Sequence, residues 1–212
     1  MQSLAYYHNT FKIAPILFFV KLGLDCDDTL MDFIEGLPAA YNQRYGTSYR
    51  VTDLSPDFAD LRQVLGDEGY KNLEEMFLDE SFVLGISPVP GAVEGVNSLR
   101  EKGMELYVVS HRQGAPEEVT LRSLHQYFGD TFQEVIFTYG KPKGEICRKR
   151  GIELFVDDLP QNIVSVNQAG IPALLYNRHW NQEVIEHALV KRVKNWKAVV
   201  REAEKWREKI EG

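Results

Sequence analysis

With 212 residues, 44% of them hydrophobic and 26% charged, the chain can build one ordinary α/β domain plus a small appendage, and its composition is that of a soluble globular protein. A formal net charge of −7 excludes broad electrostatic binding to a nucleic-acid polymer, and Arg148-Lys149-Arg150 is too short a basic run to reverse that. There are two cysteines, Cys26 and Cys147; a bridge at Cys26 would distort the acidic loop around it, so reduced thiols in the cytoplasm are expected.

Residues 1–15 read as an N-terminal extension. The apolar run from Ile13 to Val20 lacks a following small-residue cleavage site and is too short to span a bilayer, so no membrane segment is expected. It leads into a strand over about 17–25. Leu30 to Ile34 begins a helix, which Gly36 and Pro38 are expected to interrupt. A mostly helical insert follows, with loop signals at Ser55-Pro56 and from Gly66 to Gly69.

Strand and helix then alternate. The pattern predicts a helix over 92–102 closed by Gly103, a strand over 105–109, a helix over 116–127 and a strand over 134–137. A helix over 144–150 ended by Gly151, a strand over 154–156, a helix over 161–169 ended by Gly170 and a strand over 173–176 complete it. Such alternation implies right-handed crossovers and a doubly wound parallel sheet of the α/β class. The core takes residues 16–36 and 87–212, and the helical insert 37–86. A final amphipathic helix over about 195–210 carries Trp196, Val199, Ala203 and Trp206 near one face, either packed on the core or offered to a partner. The oligomeric state stays open.

Three of the strands run from apolar residues directly into polar clusters: Asp25-Cys26-Asp27-Asp28-Thr29, Ser110-His111-Arg112 and Asp157-Asp158. In open α/β sheets the carboxyl ends of the strands are where ligands bind. Two carboxylates spaced Asp-x-Asp on one such loop can address a single small volume. Asp25 suits a nucleophile toward phosphorus, and Asp27 can protonate the leaving oxygen and later deprotonate a water. Mg²⁺ suits an all-oxygen site, with Asp157 as a third contributor; no Cys/His constellation favours zinc. Each piece alone also fits a plainer role. Thr29 could cap the helix at Leu30, Ser110 could be a turn residue, and Asp157-Asp158 could open a helix. Either Lys143 or Lys141 could be an ordinary loop charge. Their placement together at strand ends favours an active site.

These motifs, in this order, resemble the haloacid dehalogenase-like phosphotransferases, whose pattern begins with Asp-x-Asp-x-Thr, matched by Asp25-Cys26-Asp27-Asp28-Thr29. Ser110, Lys143 (or Lys141) and Asp157-Asp158 match the later motifs. The resemblance implies a Rossmann-like core with a small helical cap inserted after the first strand. It also implies Asp25 as nucleophile and Mg²⁺ ligand, and Asp27 as acid/base that binds the metal through its backbone carbonyl. Ser110 and the lysine would hold phosphate and Asp157 would ligate the metal. Asp158 would support by orienting water or the lysine, and Thr29 lies in the first motif beside the phosphate. Many members carry an Asp where this chain has Gln161.

The stretch Val156-Asp-Asp-Leu-Pro-Gln-Asn162 and the Ser-His-Arg continuation are similar to the 5′-nucleotidase branch that includes the cytosolic deoxyribonucleotidases. By that resemblance the partner is a small phosphomonoester such as a (deoxy)nucleoside monophosphate. A sugar-phosphate phosphatase would differ only in the cap, and a non-catalytic binding protein would have no use for the nucleophile. Phe33, Tyr41, Phe58 and Phe82 are candidates for stacking a base, though core packing is the commoner use of each. Arg112 could reach a ligand bidentately or form a surface ion pair. His111 is expected to serve local packing or a loop hydrogen bond.

Overall fold

The computed structural model describes residues 19–112 and 117–211; the N-terminal extension and Pro116 lie outside them. Six strands form one parallel sheet: β1 (Lys21–Leu24), β2 (Glu105–Ser110), β3 (Glu134–Phe137), β4 (Leu154–Asp157), β5 (Ala173–Tyr176) and β6 (Val190–Val193), in spatial order β3-β2-β1-β4-β5-β6. The direction of winding reverses between β1 and β4, which opens a crevice at their carboxyl ends. Leu24 pairs with Val156, and the Asp25 amide donates to the Val156 carbonyl at 2.9 Å, so Asp25 leaves β1 beside Asp157.

Alternate residues of the central strands face different cores, as a sheet covered on both sides requires. Leu22, Leu24, Leu106, Val108, Leu154 and Val156 join the larger cluster, whereas Tyr107, Val109 and Phe155 join a second one. On this second side lie α6 (Lys143–Arg150) and α7 (Pro160–Gln168). On the first lie α4 (Ala92–Glu101) and α8 (Trp196–Glu211). The helix α5 (Glu117–Phe128) follows β2. Trp196, Val199 and Ala203 of α8 are buried in the larger cluster, so the tail helix packs on the core, and the Trp196 indole donates to the Thr29 carbonyl at 3.0 Å.

Several expected boundaries shift. The first helix, α1 (Phe33–Tyr45), starts later than Leu30 and runs through Gly36 and Pro38 without a break. The Cys26 carbonyl accepts from both the Leu30 and Met31 amides, curling residues 26–31 into a tight turn. Pro38 cannot donate to the turn before it, but Phe33, Ile34, Leu37 and Tyr41 are all buried, and that stripe holds the helix across the defect. A 3-10 turn (Val51–Asp53) leads to α2 (Phe58–Leu78), which continues past the expected loop at 66–69; only Gly66 leaves helical geometry, at φ 71°. Tyr41 and Tyr45 of α1 donate to the carbonyls of Gly69 and Asn72, bracing the segment after that kink. A short helix, α3 (Glu80–Gly85), follows. The strand β6 was not expected: its sequence, Val-Lys-Arg-Val, has two central charges, and parallel pairing with β5 selects it. Among the described residues no helix is long and apolar enough to cross a membrane.

Two glycines let chain segments approach. A Cβ on Gly23 would come within 2.4 Å of the Phe155 ring, so the bare backbone of β1 is what lets that ring lie across it. A Cβ on Gly144 would come within 2.0 Å of the Ser165 carbonyl oxygen, where α6 crosses α7. Gly144→Ala is expected to destabilise the fold by about 1–3 kcal/mol, read as a lower urea midpoint at unchanged m-value.

On α8, the Glu202 carboxylate is 7% exposed and takes ion pairs from Lys191, Arg201 and Lys205. Burial alone would raise its pKa, but hydrogen bonds from Arg201, Lys205 and Lys191 outweigh it and hold the group at about 2. The folded pKa lies below the unfolded value, so this stabilisation is complete above the ordinary Glu range and disappears as pH falls toward 2. Because the three cations face solvent, which screens the gain, Glu202→Gln should cost about 1–2 kcal/mol at neutral pH. In urea titrations the difference from wild type should vanish toward pH 2.

Candidate active site

The carboxyl ends of β1, β2 and β4 and the first residue of α6 bring the predicted groups together. Ser110, Lys143, Asp157, Asp158 and Asp25 are all buried, with Asp25 at 5% and Lys143 at 1% exposure. Lys143 is the lysine of the site: its ammonium donates to Asp157 Oδ2 at 2.8 Å and to Asp25 Oδ1, and it lies 5.6 Å from the centre of the Phe155 ring. Lys141, two residues earlier, is exposed. Pro142 sets the entry to α6, so Lys143 becomes its first helical residue and turns inward.

Asp157 is held by Lys143 at one oxygen and by the Leu159 amide and Asn162 side chain at the other, at 2.8 and 3.2 Å. Asp158 accepts from the Thr29 hydroxyl at 3.3 Å and the Trp180 indole at 2.9 Å. The hydroxyl of Thr29 is thus directed at Asp158, and it does not cap α1. Asp28, in the left-handed region at φ 56°, takes the capping part: its Oδ1 accepts the Ile34 amide at 2.9 Å. Arg178 clamps the turn from outside, donating to the Asp28 carbonyl and to Asp32.

Arg112 has a partner that neither sequence reading supplied. It is buried against Asp27, with Nε 3.1 Å from both carboxylate oxygens and Nη2 2.8 Å from Oδ1. The fork that could hold a ligand is therefore engaged by a carboxylate of the neighbouring loop. Asp27 is the more open member of the group, its side chain 23% exposed. His111 bridges Thr138 and Asn162 at 2.6 and 3.1 Å, a loop contact as expected.

Charge is out of balance in this volume. Burial pushes the Asp25 carboxyl up to about 7, against the pull of Lys143 and with a push from Asp157 and Asp27. Burial, with Asp157 and Asp28 nearby, raises Asp158 well above the usual carboxylate range. Burial would lower Lys143, but Asp157 and Asp25 hold it above its ordinary value. Cys26, between the two loop carboxylates, is pushed up to about 12 by burial and stays a neutral thiol.

Oxygens of Asp25, Asp157 and Asp158 lie within 4.8 Å of one another. This all-oxygen trio, facing a single ammonium, fits a hard divalent cation such as Mg²⁺. Asp158, expected in a supporting part, contributes the third carboxylate of this trio, while the Asp27 carboxylate turns to Arg112. Phe33 and Tyr41 are buried in the core, and Phe82 packs edge-on to Phe77, 6.1 Å between ring centres; the Phe58 side chain lies outside the described residues. Gln161 donates to Asp57 at the start of α2 at 3.0 Å, and His179 lies 2.9 Å from the Leu54 carbonyl. Thr120, Trp180 and Arg178 support the site with no sequence pattern of their own to mark them, whereas Asn162 ends the stretch that begins at Val156.

Residues 19–204 match the family described as 5′ nucleotidase, deoxy (pyrimidine), cytosolic type C protein. The chain is 26% identical over 184 residues to the "Putative nucleotidase" of Bacillus cereus, covering 84% of this chain and 94% of that protein. Among solved structures it resembles a "putative phosphoglycolate phosphatase" from Lactobacillus delbrueckii, with TM-score 0.64 and 15% identity over 87% of this chain and 98% of that one. A HAD-superfamily hydrolase from Geobacter sulfurreducens gives TM-score 0.58 and 18% identity, over 86% and 95%. At these identities the structural likeness carries the fold alone.

With EDTA present, Lys143→Met leaves Asp25 and Asp157 buried with no cation between them. It should lower stability by about 3–5 kcal/mol in urea titrations at neutral pH, whereas a loss below ~1 kcal/mol would mean the carboxylates do not depend on it.

Proposed function

The chain belongs to the cytosolic type C 5′-nucleotidase family of haloacid dehalogenase-like hydrolases, and from that premise we propose that it is a magnesium-dependent phosphomonoester hydrolase working through an aspartyl-phosphate, with (deoxy)nucleoside monophosphates as substrates. The observation that carries the reading is the buried ammonium of Lys143 shared by Asp25 and Asp157, with Asp27 on the adjoining loop.

In the first half-reaction an Asp25 oxygen attacks phosphorus and the bond from phosphorus to the nucleoside oxygen breaks. Asp27, as the carboxylic acid, gives its proton to that departing oxygen. Lys143 and the Ser110 hydroxyl bind the non-bridging oxygens, whose charge the transition state spreads. In the second half-reaction a water attacks the phosphoryl group, Asp27 takes its proton, and the bond to Asp25 breaks to release phosphate. Asp25, Asp157 and the Asp27 carbonyl, with Asp158 beside them, would hold Mg²⁺, which would supply positive charge for phosphate binding and displacement. Asp158, kept in place by Thr29 and Trp180, braces this acidic wall.

The segment 37–86 serves as the cap that selects the substrate. The near-complete burial of Asp25 and Lys143 fits a closed arrangement, which the contacts of Gln161 with Asp57 and of His179 with Leu54 hold. The buried free thiols of Cys26 and Cys147 suit a reducing cytoplasm.

Phosphate release should be measured across ribo- and deoxynucleoside 5′- and 3′-monophosphates and sugar phosphates. A preference for one nucleotide group is expected, abolished by EDTA and reduced at least ~10³-fold in Asp25→Asn. Turnover confined to sugar phosphates would keep the chemistry and overturn the nucleotide assignment.

A further inference from the structure

Arg112 is buried, one residue beyond a loop histidine and two beyond Ser110, yet its guanidinium faces a carboxylate that has to handle a proton. The geometry is asymmetric. Asp27 Oδ1 receives two donors, Nε at 3.1 Å and Nη2 at 2.8 Å, whereas Oδ2 receives Nε alone at 3.1 Å. The fork is fixed from behind: Nη1 donates to the Thr120 hydroxyl of α5 at 3.2 Å, and the Arg112 amide donates to Ser110 Oγ at 3.1 Å. A planar guanidinium held at three points sets both the position and the rotation of the carboxylate it grips.

We propose that Arg112 is a positioning residue for Asp27: it immobilises Oδ1 and leaves Oδ2 as the oxygen that exchanges a proton with the leaving group and then with water, with Thr120 holding Arg112 in that pose. The assignment rests on the phosphoenzyme reading above. It removes Arg112 from the phosphate-binding set, which keeps Ser110 and Lys143. The step itself is unchanged: the phosphorus–oxygen bond to the nucleoside breaks as the Asp25–phosphorus bond forms, and the proton on Oδ2 passes to the departing oxygen. A carboxyl free to rotate would present that oxygen only part of the time, so the loss falls on steps that need the proton.

This separates two substrates. A nucleoside alkoxide is a poor leaving group and needs the proton, whereas p-nitrophenolate leaves without one. Because kcat/KM reports only steps through the first irreversible one, it isolates phosphoenzyme formation from the later water attack. Arg112→Lys should lower kcat/KM for a nucleoside monophosphate about 10- to 100-fold, and for p-nitrophenyl phosphate by less than about threefold. The inhibition constant of inorganic phosphate should stay unchanged. Thr120→Val should shift the same ratio in the same direction by about 3- to 10-fold, and it keeps the inference testable if Arg112→Lys does not fold. An equal loss on both substrates, a weaker inhibition constant for phosphate, or no loss on either would overturn the assignment. Asp25→Asn separates the two levels: full activity in that variant would overturn the phosphoenzyme reading, whatever the Arg112 and Thr120 variants do.

Discussion

One ammonium determines much of the rest of the site. Lys143 places a positive charge, almost wholly cut off from water, between Asp25 and Asp157 on neighbouring strands. Such a charge is tolerable only where carboxylates and hydrogen bonds surround it, and the carboxylates are tolerable only with the cation present. The fold supplies both conditions. Register between β1 and β4 sets the acids side by side, Gly144 lets α6 close on α7 so that the lysine reaches them, and the Phe155 ring, admitted by Gly23, borders the ammonium.

Around that centre the first acidic loop is held from several directions. Its turn is closed by the Cys26 carbonyl, its left-handed residue Asp28 caps α1, Arg178 grips its backbone, and Trp196 of the distant C-terminal helix bonds to Thr29. A loop so constrained reorganises little when a substrate arrives, which is what stabilising a developing charge requires. The two acids of the loop are thereby given different surroundings. Asp25 faces the buried lysine, and Asp27 faces Arg112 at the more open side. Different surroundings are what the proposed division of labour requires, with one carboxylate acting on phosphorus while its neighbour handles protons.

Apolar runs ending in Asp25, Ser110 and Asp157 identified three strand ends, and alternation with helices identified the doubly wound sheet, because buried parallel strands and amphipathic helices leave strong periodic signals. The acidic motif followed from local order, whereas Lys143 and Lys141 both stayed open until the burial of Lys143 between Asp25 and Asp157 set them apart. The continuous run of α1 through Pro38 and the strand β6 did not, because burial of a stripe in one case and pairing with β5 in the other override weak local preference. Thr29 was placed in the right loop, but its hydroxyl partner, Asp158, lies 129 residues away.

The sequence by itself determined the chemistry available: acids, a hydroxyl and a cation at the ends of strands, in an order that fixes the family. Only the tertiary structure decided how those groups are paired. Asp158 joins Asp25 and Asp157 in the acidic trio, Arg112 turns to Asp27, and Thr120 stands behind it. The reason is physical. Residue type and strand-end position are written locally in hydrophobic periodicity, whereas the direction of a buried charged side chain is set by whichever opposite charge the packing of distant segments brings within hydrogen-bond reach.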